Sequence, residues 1–114
     1  MSRDPQYFLD IVEAAKLARS YVVGKTQDEF LQDTFCQDAV IRRLEIIGEA
    51  ARRLSRTARI ALPELTWNAM IGMRNLLIHE YDGVDLNIVW DTVQKDLPTL
   101  IKAIEPFVPP PDET

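Results

Sequence analysis

Arg74-Asn75-Leu76-Leu77-Ile78-His79-Glu80-Tyr81 gathers the residue types that phosphodiester chemistry needs. His79 is the chain's single histidine, five residues after an arginine and two before a tyrosine. An imidazole with a pKa near roughly 6.5 gives and takes protons around neutrality. A guanidinium stays charged and offers a rigid fork of donors matched to phosphate. RNA can be cut through its own 2′-hydroxyl when a base removes that proton and an acid protonates the leaving 5′-oxygen. Positive charge must also meet the developing phosphorane oxygens. His79 suits the proton transfers and Arg74 the charge, while Asn75 can orient the imidazole or hold a phosphate oxygen. This set requires neither a metal nor a cofactor, and DNA, lacking the 2′-hydroxyl, is not cut by this route.

Each of these residues also has an ordinary reading. A lone histidine near a helix C-terminus is often a cap stabilised by the helix dipole. Arg74 can pair with Glu80, Asp82 or a carboxylate on a neighbouring helix, and Tyr81 can close a helix end with its hydroxyl in water. Trp67 and Trp90 read as core anchors rather than platforms for base stacking. Glu80, Asp82 and Asp85 have the oxygen chemistry of a magnesium site, but their loop setting offers no convergent partners, so no metal site is expected. Spacing adds a constraint. Asn75 and His79 are four apart and share one helix face, whereas Arg74 lies about 140° from His79. One regular helix therefore does not bring arginine and histidine together; a helix ending near His79, or a second copy of the chain alongside, would.

The elements that must position these residues read as all-α. Asp4 with Pro5 opens a first helix carrying Phe8, Leu9, Val12 and Ala15, with Gly24 as its stop. Thr26-Gln27-Asp28-Glu29 has the form of a capping box, and Asp33 or Thr34 offers a second start. A long helix then runs to about Leu54 or Ser55, with Val40, Leu44, Ile47, Gly48, Ala51 and Leu54 as its core stripe. Ile41 and Ile46 widen that stripe, which suggests a further helix partner, including one from another subunit. Mid-helix Gly48 costs about 1 kcal/mol relative to alanine, and close helix–helix approach is a sufficient reason for it. Pro63 breaks the pattern and Thr66 caps the next helix, which carries Trp67, Met70, Ile71, Met73, Leu77 and Ile78 to His79. Asp82-Gly83 signals a turn and Asp85 caps a helix through Leu97, where Pro98 kinks it or begins a short fifth helix to about Ile104. An antiparallel bundle of four to five helices over residues 1–105 follows, with a flexible proline-rich tail over 106–114.

Length and composition bound what remains. The chain has 114 residues, 46% of them hydrophobic, enough for one domain with a real core. No apolar run approaches the roughly 18 residues of a membrane span, and the N-terminus lacks the apolar stretch of a signal peptide. The single cysteine, Cys36, excludes an intrachain disulfide and reads as a small helix residue. Together these features predict a cytoplasmic protein without a membrane partner. The net charge of −5 argues against a surface coated for nucleic acid. Residues 41–60 are the exception: Arg42, Arg43, Arg52, Arg53, Arg56 and Arg59 stand against Glu45 and Glu49, a local balance of +4. Arg42, Arg43, Arg52 and Arg53 are candidate RNA contacts, although a solvated helix face explains the same charges.

At these residues the chain resembles the HepT-like toxin branch of the HEPN superfamily. The signature is an arginine, a polar residue, variable positions, a histidine and then a tyrosine two residues on. Here it stands as Arg74, Asn75, Leu76-Leu77-Ile78, His79, Glu80 and Tyr81. Leu44 to Ala50, Pro63 to Trp67, Ile71 to Arg74 and Gly83 to Trp90 also match the pattern, and the similarity covers about residues 7–105. An Arg-x4-His spacing alone is weak, but with these flanking segments in order it is specific. The resemblance implies a HEPN-type helical homodimer with both motifs lining a shared cleft, and a metal-independent endoribonuclease with Arg74 and His79 catalytic. It further implies the toxin of a type VII toxin–antitoxin system, silenced by a cognate nucleotidyltransferase antitoxin that AMPylates Tyr81. Nucleotidyl groups there would add bulk and negative charge beside the cleft, repelling RNA phosphate.

Overall fold

Two long amphipathic helices, α1 (Asp4–Tyr21) and α3 (Thr34–Arg53), form the spine of the structure. The computed structural model describes residues 2–78 and 83–110. His79, Glu80, Tyr81 and Asp82 therefore lie outside the described residues, as does the end of the proline-rich tail. All regular structure among the described residues is helical, as the apolar periodicity predicts. The core stripe expected on α3 is the one it buries: Val40, Leu44 and Ile47 are fully enclosed, and Gly48, Ala51 and Leu54 follow. They meet Phe8, Ile11, Val12, Ala15 and Ala18 of α1.

The two helices run antiparallel and are tied at both ends. At one end the Cys36 thiol lies 3.5 Å from the Tyr21 carbonyl. At the other, the Asp4 carboxylate accepts the Ser55 N–H at 2.9 Å and also the Ser55 hydroxyl. Asp4 thus clasps the far end of α3 rather than capping its own helix, which starts one residue earlier than expected with Arg3 at the cap position. Partial burial of Asp4 opposes ionisation, but the Ser55 hydroxyl and N–H, with Ser2, outweigh it and hold the carboxyl below its usual value. Cys36 is enclosed, and burial, with the nearby Asp33 charge, pushes its thiol up. It is an inert packing residue.

Between the long helices, Thr26 and Glu29 form the expected capping box on the short α2 (Gln27–Leu31), and Asp33 caps α3 through the Cys36 N–H. Ser55 caps α4 (Arg56–Ala61), which leads to Pro63 and α5 (Glu64–Ile78). Helix α5 begins two residues before the expected Thr66 cap. The Pro63 carbonyl itself accepts the Trp67 N–H at 3.2 Å, so Thr66 is left inside the helix and buried. After Gly83, in a left-handed conformation with φ of 102°, Asp85 caps α6 (Leu86–Asp91) through the Asn87 and Ile88 N–H groups. Helix α6 seats on α2 through a tilted Phe30–Trp90 pair with centroids 5.4 Å apart. Trp90 is the core anchor expected of it.

Pro98 stands in the first turn of a short helix, α7 (Leu97–Ile104), which is one of the two outcomes expected of it. Between α6 and α7 the chain widens into a π-helical segment, Thr92–Asp96. A π turn asks the N–H five residues on to satisfy each carbonyl, and for Val93 that residue is Pro98, which has none. Arg19 of α1 supplies the donor, its Nη1 lying 2.9 Å from the Val93 carbonyl. Packing also passes the boundary expected at residue 105. Glu105–Phe107 forms a 3-10 turn, Phe107 stacks on Phe8 at 5.1 Å, and Val108 packs on the core.

Ile41 and Ile46 lie about 140° apart around α3, and each is half-buried against the chain's own core, so part of the extra apolar width serves packing within the chain. No helix among the described residues is long and apolar enough to cross a membrane.

Candidate active site

Arg74 sits where α5 presses closely on α3. A Cβ built on Gly48 would stand 2.8 Å from the Arg74 Cβ and 3.1 Å from its Cα. The glycine expected to serve close helix approach therefore serves the motif arginine itself. With no side chain at position 48, the α5 backbone settles onto α3 and brings Arg74 to the wall of the cleft between them.

That cleft encloses about 240 Å³ and is lined by Gly48, Ala51, Arg52, Arg59, Trp67, Ile71 and Arg74. Its walls follow from helical spacing. Trp67, Ile71 and Arg74 are i, i+4 and i+7 on α5, while Gly48, Ala51 and Arg52 are i, i+3 and i+4 on α3, so each set shares a face. Arg59 of α4 closes the end, its guanidinium 4.7 Å above the centre of the Trp67 ring. Arg59 Nη2 donates to the Arg52 carbonyl at 2.9 Å. Arg52 reaches Glu49 at 3.2 Å, an exposed pair of little energetic weight. Three arginines thus contribute to the lining of one small cleft in a chain that is acidic overall.

Arg74 has a further property. Its Nε is buried and has no hydrogen-bond partner among the described residues. A buried donor without a partner costs about 1–3 kcal/mol, and an anionic oxygen delivered into the cleft is the natural acceptor for such a fork.

The other candidates are distributed differently. Asn75, exposed, lines a separate groove with Ala69, Gly72, Met73, Ile88, Thr92 and Asp96. Arg74 and Asn75 therefore serve different sides of α5 and are not brought together within one chain. The four arginines proposed as RNA contacts do not form one stripe. Arg42 and Arg53, eleven residues apart, return to within about 20° on the helix and line a groove with Tyr7, Asp10, Ile46 and Glu49. Arg43 lies on the flank of the core, half-buried, with its Nε also lacking a partner among the described residues. Only Arg52 faces the Arg74 cleft. His79 and Tyr81, like Glu80 and Asp82 of the weighed magnesium set, lie outside the described residues. Asp85 is occupied as the α6 cap.

Sequence reasoning missed Arg59 and Trp67. Trp67 is the core anchor expected, half-buried and packed on the core, but it also carries Arg59 over its ring. Its spacing of seven residues from Arg74 was the available signal.

A family model described as ribonuclease HepT-like matches residues 11–107. The chain belongs to the HepT-like ribonuclease family. Three relatives illustrate how closely. The "Probable ribonuclease HepT" of Thermococcus cleftensis is 43% identical over 94 residues, 82% of this chain and 86% of that one. The "Putative RNase MJ1380" of Methanocaldococcus jannaschii is 39% identical over 104 residues, covering 90% and 95%. A longer protein of the same organism, "Gamma-glutamylcyclotransferase and putative RNase MJ0434", is 42% identical over 105 residues. That match takes in 91% of this chain but only 47% of the longer protein, so the chain spans about half its length. No solved structure matches the chain significantly. Family membership accords with the helical bundle and gives the Arg74 cleft a chemical context.

Proposed function

We propose that this HepT-like chain is a metal-independent endoribonuclease, with Arg74 and His79 as catalytic residues and Asn75 in support. The observation that carries the reading is Arg74, whose Nε has no hydrogen-bond partner among the described residues, in a cleft lined by two further arginines. In the reaction, the 2′-oxygen of RNA attacks the adjacent phosphorus as a base takes its proton. The bond to the 5′-oxygen then breaks as an acid protonates it, leaving a 2′,3′-cyclic phosphate and a 5′-hydroxyl. Arg74 stabilises the charge that builds on the phosphorane oxygens. A homodimer would supply a second imidazole, so that acid and base are separate residues. It would also let Arg74 of one copy and Asn75 of the other approach one phosphate, which one copy of α5 does not allow.

The protein is expected to cut single-stranded RNA in excess EDTA, leaving cyclic phosphate ends, and to spare the same RNA carrying a 2′-deoxy sugar at the cleavage position. A protein that cuts neither strand would be a binding partner of a nucleotidyltransferase instead. Cutting that depends on added divalent metal, or persists at the deoxy position, would overturn the mechanism.

The wider role proposed is that of a cytoplasmic toxin of a type VII toxin–antitoxin system, silenced when a cognate nucleotidyltransferase transfers AMP to Tyr81. Co-expression with such a partner is expected to add AMP increments to the mass of the chain, and Tyr81→Phe is expected to abolish them. Increments that survive the substitution would exclude Tyr81 as the acceptor.

A further inference from the structure

We infer that Arg59, braced by Trp67, is a second RNA phosphate clamp beside Arg74, and that Arg42, Arg43 and Arg53 do not belong to that binding surface. The inference rests on the ribonuclease reading and extends it to the residues that hold the strand.

An exposed arginine makes a poor clamp because its long side chain must be ordered on binding. Arg59 is ordered already. Its guanidinium face lies on the Trp67 ring at 4.7 Å, and Nη2 is fixed to the Arg52 carbonyl at 2.9 Å. One edge of the fork is thereby held, while Nε and Nη1 have no hydrogen-bond partner among the described residues. The guanidinium lines the same cleft as Arg74. Arg59 forms no ion pair among the described residues, whereas Arg52 is paired with Glu49. A repeating anion is the ligand these observations fit, because Arg59 and Arg74 come from different helices and both line one cleft. The phosphodiester backbone of RNA supplies anions at such a repeat. The Trp67 ring face is covered by Arg59, so the clamp reads backbone charge rather than base identity. Arg42 and Arg53 open onto another groove whose lining includes Asp10 and Glu49, and Arg43 is half-enclosed beside the core.

The test measures binding of a fully 2′-O-methylated RNA oligonucleotide, which the proposed chemistry cannot cut, across a range of salt. Each phosphate contact on a single strand contributes about 0.7 to the slope of log affinity against log salt. Arg59→Gln is expected to weaken binding several-fold and to lower the slope by about 0.7. Trp67→Leu keeps the charge but releases its brace, so affinity falls about two- to fivefold with the slope unchanged; Trp67→Met, equally without a ring, makes the same comparison if the leucine variant does not fold. Lys102→Gln, removing an exposed charge on α7, controls for net charge. A slope for Arg59→Gln equal to that of Lys102→Gln, or no binding by the wild-type protein, overturns the clamp. Loss of the ribonuclease reading looks different: Arg59-dependent binding persists while unmodified RNA stays intact in EDTA.

Discussion

Replacing Arg74 by alanine is expected to slow RNA cleavage by about two to three orders of magnitude while leaving the melting temperature unchanged or slightly higher. The two halves of this expectation have one origin. The Arg74 Nε is enclosed without a hydrogen-bond partner among the described residues, so removing the guanidinium breaks no Nε hydrogen bond seen among them. The bound phosphodiester already offers an anionic oxygen, and the second negative charge that develops on the phosphorane strengthens the contact, so the interaction favours the transition state over the ground state. Arg74→Lys is expected to recover little, since a point charge does not reproduce a planar fork. His79→Ala should cost about two to four orders of magnitude through loss of proton transfer. The double substitution is expected to be scarcely worse than the more damaging single one, because residues that act as a unit are not additive. Single-turnover cleavage of one defined RNA, with thermal melts of the same preparations, measures all of this. A large fall in melting temperature for Arg74→Ala would reassign the residue to a structural role, and full additivity would separate it from His79.

The fold and the site were legible in the sequence to different extents, for different physical reasons. The α3 stripe from Val40 to Leu54 could be read because burial on one face imposes a 3.6-residue period on the sequence itself. Caps at Thr26, Asp33 and Asp85 could be read because a side chain there satisfies N–H groups two or three residues away. The same locality limited what could be read at Thr66, where the Pro63 carbonyl opened the helix first. Pro98 announced that a carbonyl would lack its donor. That the remedy would be Arg19, 74 residues before Val93, is tertiary information. The motif arginine was visible as a residue type, but its cleft is made by three helices meeting. Arg59 over Trp67 links an arginine counted only for its charge with a tryptophan assigned only to the core. The arginine cluster failed as one surface for a simpler reason: neighbouring positions on a helix point about 100° apart.

Gly48→Ala is expected to cost more activity than stability, and the sign of its stability effect tests how the motif helix is seated. On helix propensity alone the change should stabilise by about 1 kcal/mol. Against that stands a methyl group 2.8 Å from the Arg74 Cβ and 3.1 Å from its Cα. The second of those atoms is backbone, so no rotamer change relieves the contact and α5 must lift from α3. Overpacking of this kind costs about 1–3 kcal/mol, which outweighs the propensity gain and leaves a net loss of about 1 kcal/mol. Gly72→Ala is the control for propensity. It is the same substitution inside α5, but nothing lies within 4 Å of the added methyl, so the variant should melt higher than wild type. The larger consequence falls on catalysis, since the displaced segment carries Arg74. A shift of about 1 Å in a group that must meet the reacting phosphate can cost about a hundredfold in rate. Urea titration and single-turnover cleavage on both variants separate the two effects. A more stable Gly48→Ala protein that cuts RNA at the wild-type rate would mean that the helices accommodate the methyl freely, and that close seating of α5 does not place the arginine.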